Sequence, residues 1–310
     1  MADEIPIHQQ VLLAYVALQN LKHDRSTTDI AEELGMSRFK VGRMISQARD
    51  YGLIDVVVKL TPSIDVELSK RLKDTYSLSE ALVVFPATSS DHHSREAIAA
   101  AAARYIPSFI TEGSIVGLGP GRTIIEMCDQ ATDFPNCDVV QLTGVATREP
   151  ELSVQSIFRL SRLAGGRMYP LYAPFLATSE DAAKAIVAQP SVQEALQRME
   201  KVDTSILTIG GWPRSSLLAD MLAEAGELSP LTERGAVAEI GTTVIDQAGK
   251  VLDDISSRTI GITSDQLLRV PNRIALGGGD GKRQAVSATL RSGLVDLIIT
   301  DVFSAQQALA

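Results

Sequence analysis

Residues 29–54, DIAEELGMSRFKVGRMISQARDYGLI, read as two helices joined by a short turn. Just upstream, Ser26 opens an S-x-x-D start signal completed by Asp29. Ile30, Ala31 and Leu34 follow at helical spacing, and Gly35 can close this helix in the left-handed conformation. Ser37 is placed to cap a second helix whose Val41, Met44, Ile45 and Ala48 share one face. Arg38, Lys40, Arg43, Ser46 and Gln47 fall elsewhere on it, and between Arg38 and Arg49 there are four basic residues and no acid. A basic stripe suits a phosphate backbone, because each neutralised phosphate releases counterions. Polar residues at the start of such a helix are where base edges in a major groove are met. Further upstream, His8 to Leu21 reads as an amphipathic helix with Val11, Leu12, Tyr15, Val16 and Leu18 as its apolar face, completing a three-helix core.

The rest of the chain is of another kind. With 310 residues, 45% hydrophobic and 22% charged, it can bury one large core beside a small accessory module, and we divide it at 1–59 and 60–310. The net charge of -9 is uneven: residues 1–59 hold seven Lys/Arg and eight Asp/Glu, against 22 and 30 in the remainder. Cys128 and Cys137 stand outside any CxxC pattern, which predicts reduced core thiols rather than a disulfide framework or a structural zinc. The opening MADEIPIHQQ carries acids where a secretory leader needs basic residues, and no stretch approaches 18 uninterrupted apolar residues. A cytoplasmic protein with no membrane partner is expected.

Thr61-Pro62 breaks the chain, and Asp65 to Tyr76 predicts a charged connecting helix packed through Val66, Leu68 and Leu72. Beyond it, β-branched runs alternate with helical stretches: Leu82 to Phe85, Ser114 to Leu118, Val139 to Leu142, Ser205 to Ile209, Ile274 to Leu276 and Leu294 to Thr300. This alternation implies an α/β fold, a parallel sheet flanked by helices, in which ligands sit beyond the carboxyl ends of the strands. Three such places stand out. In SIVGLGPGRTI a strand ends in Gly119-Pro120-Gly121 and a helix opens at Arg122-Thr123, leaving free N–H groups for an anion. In IALGGGDGKRQAV, Gly277, Gly278 and Gly279 let backbone approach a ligand and Lys282 offers a point charge; Leu276 and Arg283 exclude a Walker A loop. In GAVAEIGTTVIDQAGKV two short strands meet at Gly241-Thr242. There Glu239 and Asp246 can accept from sugar hydroxyls, although Asp246 with Gly249 equally suits a hairpin turn.

The helical segment, with its Ala-Arg-Asp-Tyr-Gly-Leu-Ile exit, resembles the DNA-binding segment of the SorC family of sugar-responsive bacterial transcriptional regulators. From residue 61 onward the strings GAVAEIG, SSRTIGIT, the GGG-to-Lys282 loop and LRSGLVDLIITD resemble that family's effector domain. The resemblance implies a small all-α helix-turn-helix domain, with a wing-like strand at Asp55 to Lys59. It implies a following Rossmann-like domain related to ribose-5-phosphate isomerase, glucosamine-6-phosphate deaminase and CoA transferases. Carried over, Thr27, Thr28, Ser37, Arg38, Phe39, Lys40, Arg43 and Gln47 become candidates for DNA contact, with Arg49 on the phosphate backbone. Gly119, Gly121, Arg122, Thr123, Thr143, Glu239, Asp246, Gly278, Gly279 and Lys282 become candidates for the effector. Thr143 stands where several relatives carry a basic residue, which favours a single phosphate, or an unphosphorylated sugar or polyol.

The expected partners are operator DNA, a sugar phosphate or sugar, and further copies of the chain in a homodimer or homotetramer. The expected outcome is repression of carbohydrate or nucleoside catabolism genes, relieved by the effector. The helices at Ile98 to Ile106 and Ala182 to Val187 could serve the oligomer or the core. The alternative is a sugar-phosphate isomerase or deaminase, since fold alone never fixes function. Lys282 with Asp280, or Glu239 with Asp246, would have to supply its acid and base. No nucleophile elbow or metal-ligand spacing is present, and adjacent His92 and His93 read as solvated loop residues. No catalytic residue, metal or cofactor is assigned.

Overall fold

The computed structural model describes residues 5–54, 63–147 and 150–310. Its contacts divide the chain into two compact units, Met1–Lys59 and Leu60–Ala310.

In the first unit, α1 (Ile7–Leu21), α2 (Thr27–Leu34) and α3 (Arg38–Asp50) enclose Leu13, Val16, Ile30, Val41, Met44 and Ala48. The caps are those the residues dictate. The Ser26 hydroxyl accepts from Asp29 N at 3.1 Å and that of Ser37 from Lys40 N at 3.3 Å. Gly35 closes α2 at φ 61°, where a side chain would be strained. The face expected of α1 needs correcting. Leu13, Val16 and Ala17 are buried, whereas Val11 and Leu18 stand 62% and 42% exposed and Tyr15 is also exposed. Of the five residues expected inside, Val16 is buried and Leu12 packs against the core, while Val11, Tyr15 and Leu18 turn outward, because the helix is apolar on more than one side. The wing-like strand expected at Asp55 to Lys59, and the break at Thr61-Pro62, lie outside the described residues.

The second unit begins with α4 (Val66–Tyr76), capped by Asp65, and continues through β1 (Glu80–Val84), α5 (Asp91–Tyr105), β2 (Ile115–Leu118) and α6 (Arg122–Gln130). Then come β3 (Asp138–Gln141), α7 (Pro150–Ala164), β4 (Met168–Tyr169), α8 (Glu180–Val187), α9 (Pro190–Met199) and β5 (Thr204–Gly211). After α10 (Leu217–Glu224) and α11 (Ser229–Glu233), three short strands follow, β6 (Ala236–Ile240), β7 (Thr243–Asp246) and β8 (Val251–Leu252). The chain closes with α12 (Ser264–Arg269), β9 (Asn272–Leu276), α13 (Arg283–Arg291), β10 (Leu297–Asp301) and α14 (Val302–Ala308).

Seven strands pair in the order β1-β10-β9-β5-β2-β3-β4, every neighbour parallel. Alternation along a strand sends neighbours to opposite faces. Ile274, Leu276, Leu297 and Ile299 pack with residues of α5, α6 and α7, while Ala275 and Ile298 join Leu72, Val286 and Ala305 on the other side. Both faces are covered, which is why these strands read as continuous apolar runs. The sheet is not wholly parallel. The end of β5 bends out to pair antiparallel with β6, and β6, β7 and β8 form an antiparallel extension. The last run is also shorter than its apolar residues suggested: Leu294 and Val295 are buried, but in the link after α13, and the ladder starts at Leu297. Ile98, Ala99 and Ala101 to Ala103 of α5 are core residues, as is Ala183 of α8.

The last strand ends in Asp301, wholly buried, whose carboxylate accepts from Gly279 N at 2.6 Å, Ser304 N at 2.9 Å and Ser304 Oγ at 3.0 Å. It ties β10, the loop after β9 and the start of α14 together. Asp301→Ala would leave buried donors unpaired, each costing about 1–3 kcal/mol, so a loss of roughly 2–4 kcal/mol is expected in chemical denaturation. A loss below about 1 kcal/mol would show that the loop does not hang on this carboxylate.

Candidate functional site

A cavity of about 450 Å³ opens at the carboxyl ends of β2, β5 and β9. This is where a doubly wound sheet leaves room between crossovers, and the volume is in the range of small-molecule pockets.

One wall is the turn from β2 into α6. Gly121 precedes α6 with no side-chain cap, and its carbonyl accepts from Ile124 N and Ile125 N, both at 3.1 Å, so the positive end of the helix dipole lies at this wall. A Cβ on Gly121 would lie 2.5 Å from Thr208 Cγ2, so only glycine lets the turn lie this close to β5. The Thr208 hydroxyl fixes the turn by donating to Pro120 O at 2.9 Å. Arg122 and the buried Thr123 complete this wall. The helix dipole and the Arg122 charge both favour an anion here.

The second wall is the loop after β9, where Gly279 takes φ 99° and Gly278 and Lys282 reach the cavity. Asp91, at the start of α5, accepts from Gly281 N at 3.0 Å, and Asp280 N donates to Ser89 O at 3.1 Å. The loop is therefore braced on one side by α5 and on the other by Asp301. Burial pushes the Lys282 ammonium below its ordinary pKa; Asp91 and Glu239 oppose that shift, while Arg122 and Arg95 add to it. Arg95 lines the same region and pairs with Glu126 at 2.6 Å.

The third wall comes from the end of β5, the segment Arg214-Ser215-Ser216, α10 and β6. Ser216 caps α10 by accepting from Ala219 N at 2.9 Å, and its hydroxyl donates to Glu239 of β6. Leu218 N donates to the same Glu239 oxygen at 3.1 Å. Burial raises the Glu239 carboxyl to about 7, against the opposing pull of Ser216, Leu218 and the Lys282 charge. The half-buried Asp220 stands beside it.

Of the effector candidates, Gly119, Gly121, Arg122, Thr123, Glu239, Gly278 and Lys282 come together around this cavity. Three do not. Asp246 accepts from Ala248 N and Lys250 N, both at 2.9 Å, and makes the β7–β8 turn, the other of the two roles its spacing allowed. Thr143 is wholly buried, bridging to Gly261 rather than reaching the cavity. Gly279 is committed to Asp301. Sequence reasoning missed Asp91, Arg95, Thr208, Arg214, Ser216 and Asp220. The strand-end rule applied to Ser205 to Ile209 would have found Thr208 and the segment after Gly211, but Asp91 and Arg95 reach the site only through packing.

On the first unit, Arg38, Phe39, Lys40, Arg43 and Gln47 of α3 are exposed, as is Thr28 at the start of α2; Thr27 is half-buried and the Ser37 hydroxyl serves the cap. The Arg38 guanidinium lies 5.1 Å from the centre of the Phe39 ring. Elsewhere, His92 and His93 open α5 rather than a loop; His92 pairs with Glu96 at 3.4 Å and His93 Nδ1 lies 2.7 Å from Thr88 Oγ1. Cys128 and Cys137 are buried thiols, both pushed up to about 12 by burial. No helix among the described residues is long and apolar enough to cross a membrane.

A helix-turn-helix unit followed by an α/β domain with a polar cavity at its strand ends defines the class of protein. The family model Sugar-bind, described as "Putative sugar-binding domain", matches residues 61–310, and the chain belongs to that family. The "Uncharacterized transcriptional regulator YjhU" of Escherichia coli strain K12 is 24% identical, over 92% of this chain and 90% of its own length. Transcriptional regulator LsrR of Enterobacter sp. strain 638 is 23% identical, over 99% and 95%. Among solved structures, the full-length sorbitol operon regulator SorC of Klebsiella pneumoniae matches with a TM-score of 0.70 at 19% identity, covering 98% of this chain and 100% of its own. A DeoR family transcriptional regulator from Listeria monocytogenes matches at 0.69 and 23% identity, covering 78% and 98%. These structures share the fold.

Glu239 gives the site a pH signature. A carboxyl at about 7 in the folded state, against an ordinary 4.5, keeps a proton that the unfolded chain has lost. Its stabilising effect is complete below pH 4.5 and is lost as pH rises through 7. Glu239→Gln is expected to flatten that decline and to gain on the order of 2–3 kcal/mol over the parent at pH 8. Parallel melting-temperature profiles for the two proteins from pH 5 to 8 would refute this account of the carboxyl.

Proposed function

We propose that this chain is a DNA-binding transcriptional regulator whose C-terminal domain binds a sugar phosphate or a free sugar, and that this ligand alters its grip on an operator. The observation that carries the reading is the cavity itself. It sets a helix N-terminus, Arg122 and Lys282 against the carboxyl groups of Glu239 and Asp220, in a chain that also carries a helix-turn-helix unit. Cations beside a helix N-terminus suit one phosphate, and carboxylates suit hydroxyls. In this reading Arg122, Thr123 and Lys282 hold the phosphate, while Gly119, Gly121 and Gly278 let backbone approach it. Glu239, Asp220, Ser216 and Arg214 read the hydroxyls.

The DNA contacts we assign are Thr28, Arg38, Phe39, Lys40, Arg43 and Gln47, with Thr27 and Ser37 setting the entry of their helices. Phe39 can meet a thymine methyl, and the cations meet guanine edges or phosphates. One such unit has too small an interface for tight specific binding, so a homodimer or homotetramer presents two or more. The ligand favours one arrangement of that assembly and so changes its match to half-site spacing. We take the sense to be repression of carbohydrate or nucleoside catabolism genes, relieved by the ligand, in the cytoplasm. The relatives named above are regulators, which favours this reading over an isomerase or deaminase.

The test is a thermal-shift titration with pentoses, hexoses, polyols and their monophosphates. A specific ligand at a hundred times its Kd adds about 2.7 kcal/mol, roughly 5–10 °C for a domain of this size. Lys282→Ala is expected to weaken binding roughly 10- to 100-fold, the worth of a charged hydrogen bond. Asp246→Ala should leave it unchanged. Arg43→Ala should weaken operator binding and spare the ligand. A ligand shift that survives Lys282→Ala undiminished would move the ligand out of this cavity.

A further inference from the structure

Helix α5 opens with DHHSRE, and its first two turns gather donors that a loop would have scattered. Side chains three and four residues apart stand together on a helix. Glu96 comes four residues after His92 and three after His93, so the helix turns both imidazoles toward one carboxylate. His92 Nδ1 lies 3.4 Å from Glu96 Oε2, and one ring nitrogen of each histidine and an oxygen of Glu96 all fall within 4.8 Å of one another. Donors held at about 2.0–2.2 Å by a tetrahedral ion stand roughly 3.4 Å apart. The first pair is therefore already at that spacing, and His93 needs only a small torsional adjustment to join it. Its ring is held in place, with Nδ1 2.7 Å from Thr88 Oγ1 and 3.3 Å from Ser90 Oγ. His92 and Glu96 are exposed and His93 is half-buried, so an ion can enter from solvent. The α5 dipole disfavours a cation at this end of the helix, and the charges of Asp91 and Glu96 offset it.

We propose that His92, His93 and Glu96 bind one divalent transition-metal ion of the zinc type and that this ion tightens the loop carrying Lys282. Two imidazoles and a carboxylate suit Zn²⁺, Ni²⁺ or Cu²⁺, and give Mg²⁺ or Ca²⁺ too few oxygens. The site lies on the outer side of a brace. Ser89 O accepts from Asp280 N at 3.1 Å, Ser89 Oγ donates to Asp280 Oδ2 at 3.1 Å, and Asp91 accepts from Gly281 N at 3.0 Å. These bonds hold the loop after β9 against the start of α5. An ion that ties residues 92, 93 and 96 together stiffens the turns from which Asp91 and Arg95 reach the cavity, and with them the loop. That the tightening serves ligand binding rests on the regulator reading; the ion site does not.

The test is a calorimetric titration of the untagged full chain with Zn²⁺, and with Mg²⁺ as the control. One Zn²⁺ per chain is expected, and no Mg²⁺. His92→Ala and Glu96→Gln should each weaken Zn²⁺ binding by roughly 10- to 100-fold or more, since losing a donor costs no less than losing the group that orients one. His23→Ala, an exposed histidine beyond the end of α1, should leave binding unchanged. Cys128 and Cys137 do not compete, being buried with thiols pushed up to about 12. With Zn²⁺ bound, hydrogen exchange at the Asp280 and Gly281 amides should slow several-fold, and Glu96→Gln should abolish that protection. Absence of Zn²⁺ binding, or binding undiminished in both His92→Ala and Glu96→Gln, overturns the site. A bound ion that leaves exchange at the two amides unchanged overturns its link to the loop. Neither readout involves a sugar or DNA, so a failed ligand titration would sink the regulator reading while leaving the ion site standing.

Discussion

At the carboxyl end of β5 two crossovers come into van der Waals contact with the strand, and glycine is what lets both arrive. A Cβ on Gly121 would press on Thr208, one on Gly277 would lie 2.7 Å from Ile209 Cβ, and one on Gly211 would lie 2.4 Å from Gly281 O. Real Cβ atoms are not found at such distances, so any of these side chains would push a turn away from the strand. The β2–α6 turn and the β9–α13 loop lie on either side of β5, which pairs with both β2 and β9. Their closeness to β5 sets the width of the cavity between them. The other contacts fasten what this close approach has positioned: Thr208 on Pro120, Asp301 on Gly279 and Asp91 on Gly281.

That constraint also governs the electrostatics. A chain with a net charge of -9 gathers Arg95, Arg122, Arg214 and Lys282 around one cavity. Burial lowers the affinity of Lys282 for a proton, and repulsion from Arg122 and Arg95 adds to that. Asp91 and Glu239 counter this from opposite sides, yet Glu239 is itself so buried that it holds a proton near neutrality. An anion entering from solvent would relieve the cations and stabilise the charged lysine. The arrangement therefore favours a negative charge over a neutral group at this position.

The sequence made most of this readable where the signal was local. Ser26, Gly35 and Ser37 each do in the structure what their spacing predicted, because capping involves neighbours only three or four residues away. The parallel strands were legible because burial on both faces leaves uninterrupted apolar runs. The glycine turns after β2 and β9 were legible for the same local reason. What failed was non-local. Asp91 and Arg95 reach the cavity only because α5 packs beside β10 and α6, and nothing in their own segment reveals that. Thr143 was a candidate through the family resemblance alone, and its backbone instead bridges to Gly261. The stripe on α1 misled in another way: two apolar faces on one helix cannot be ranked by periodicity, and only packing shows that Leu13, rather than Val11, is inside.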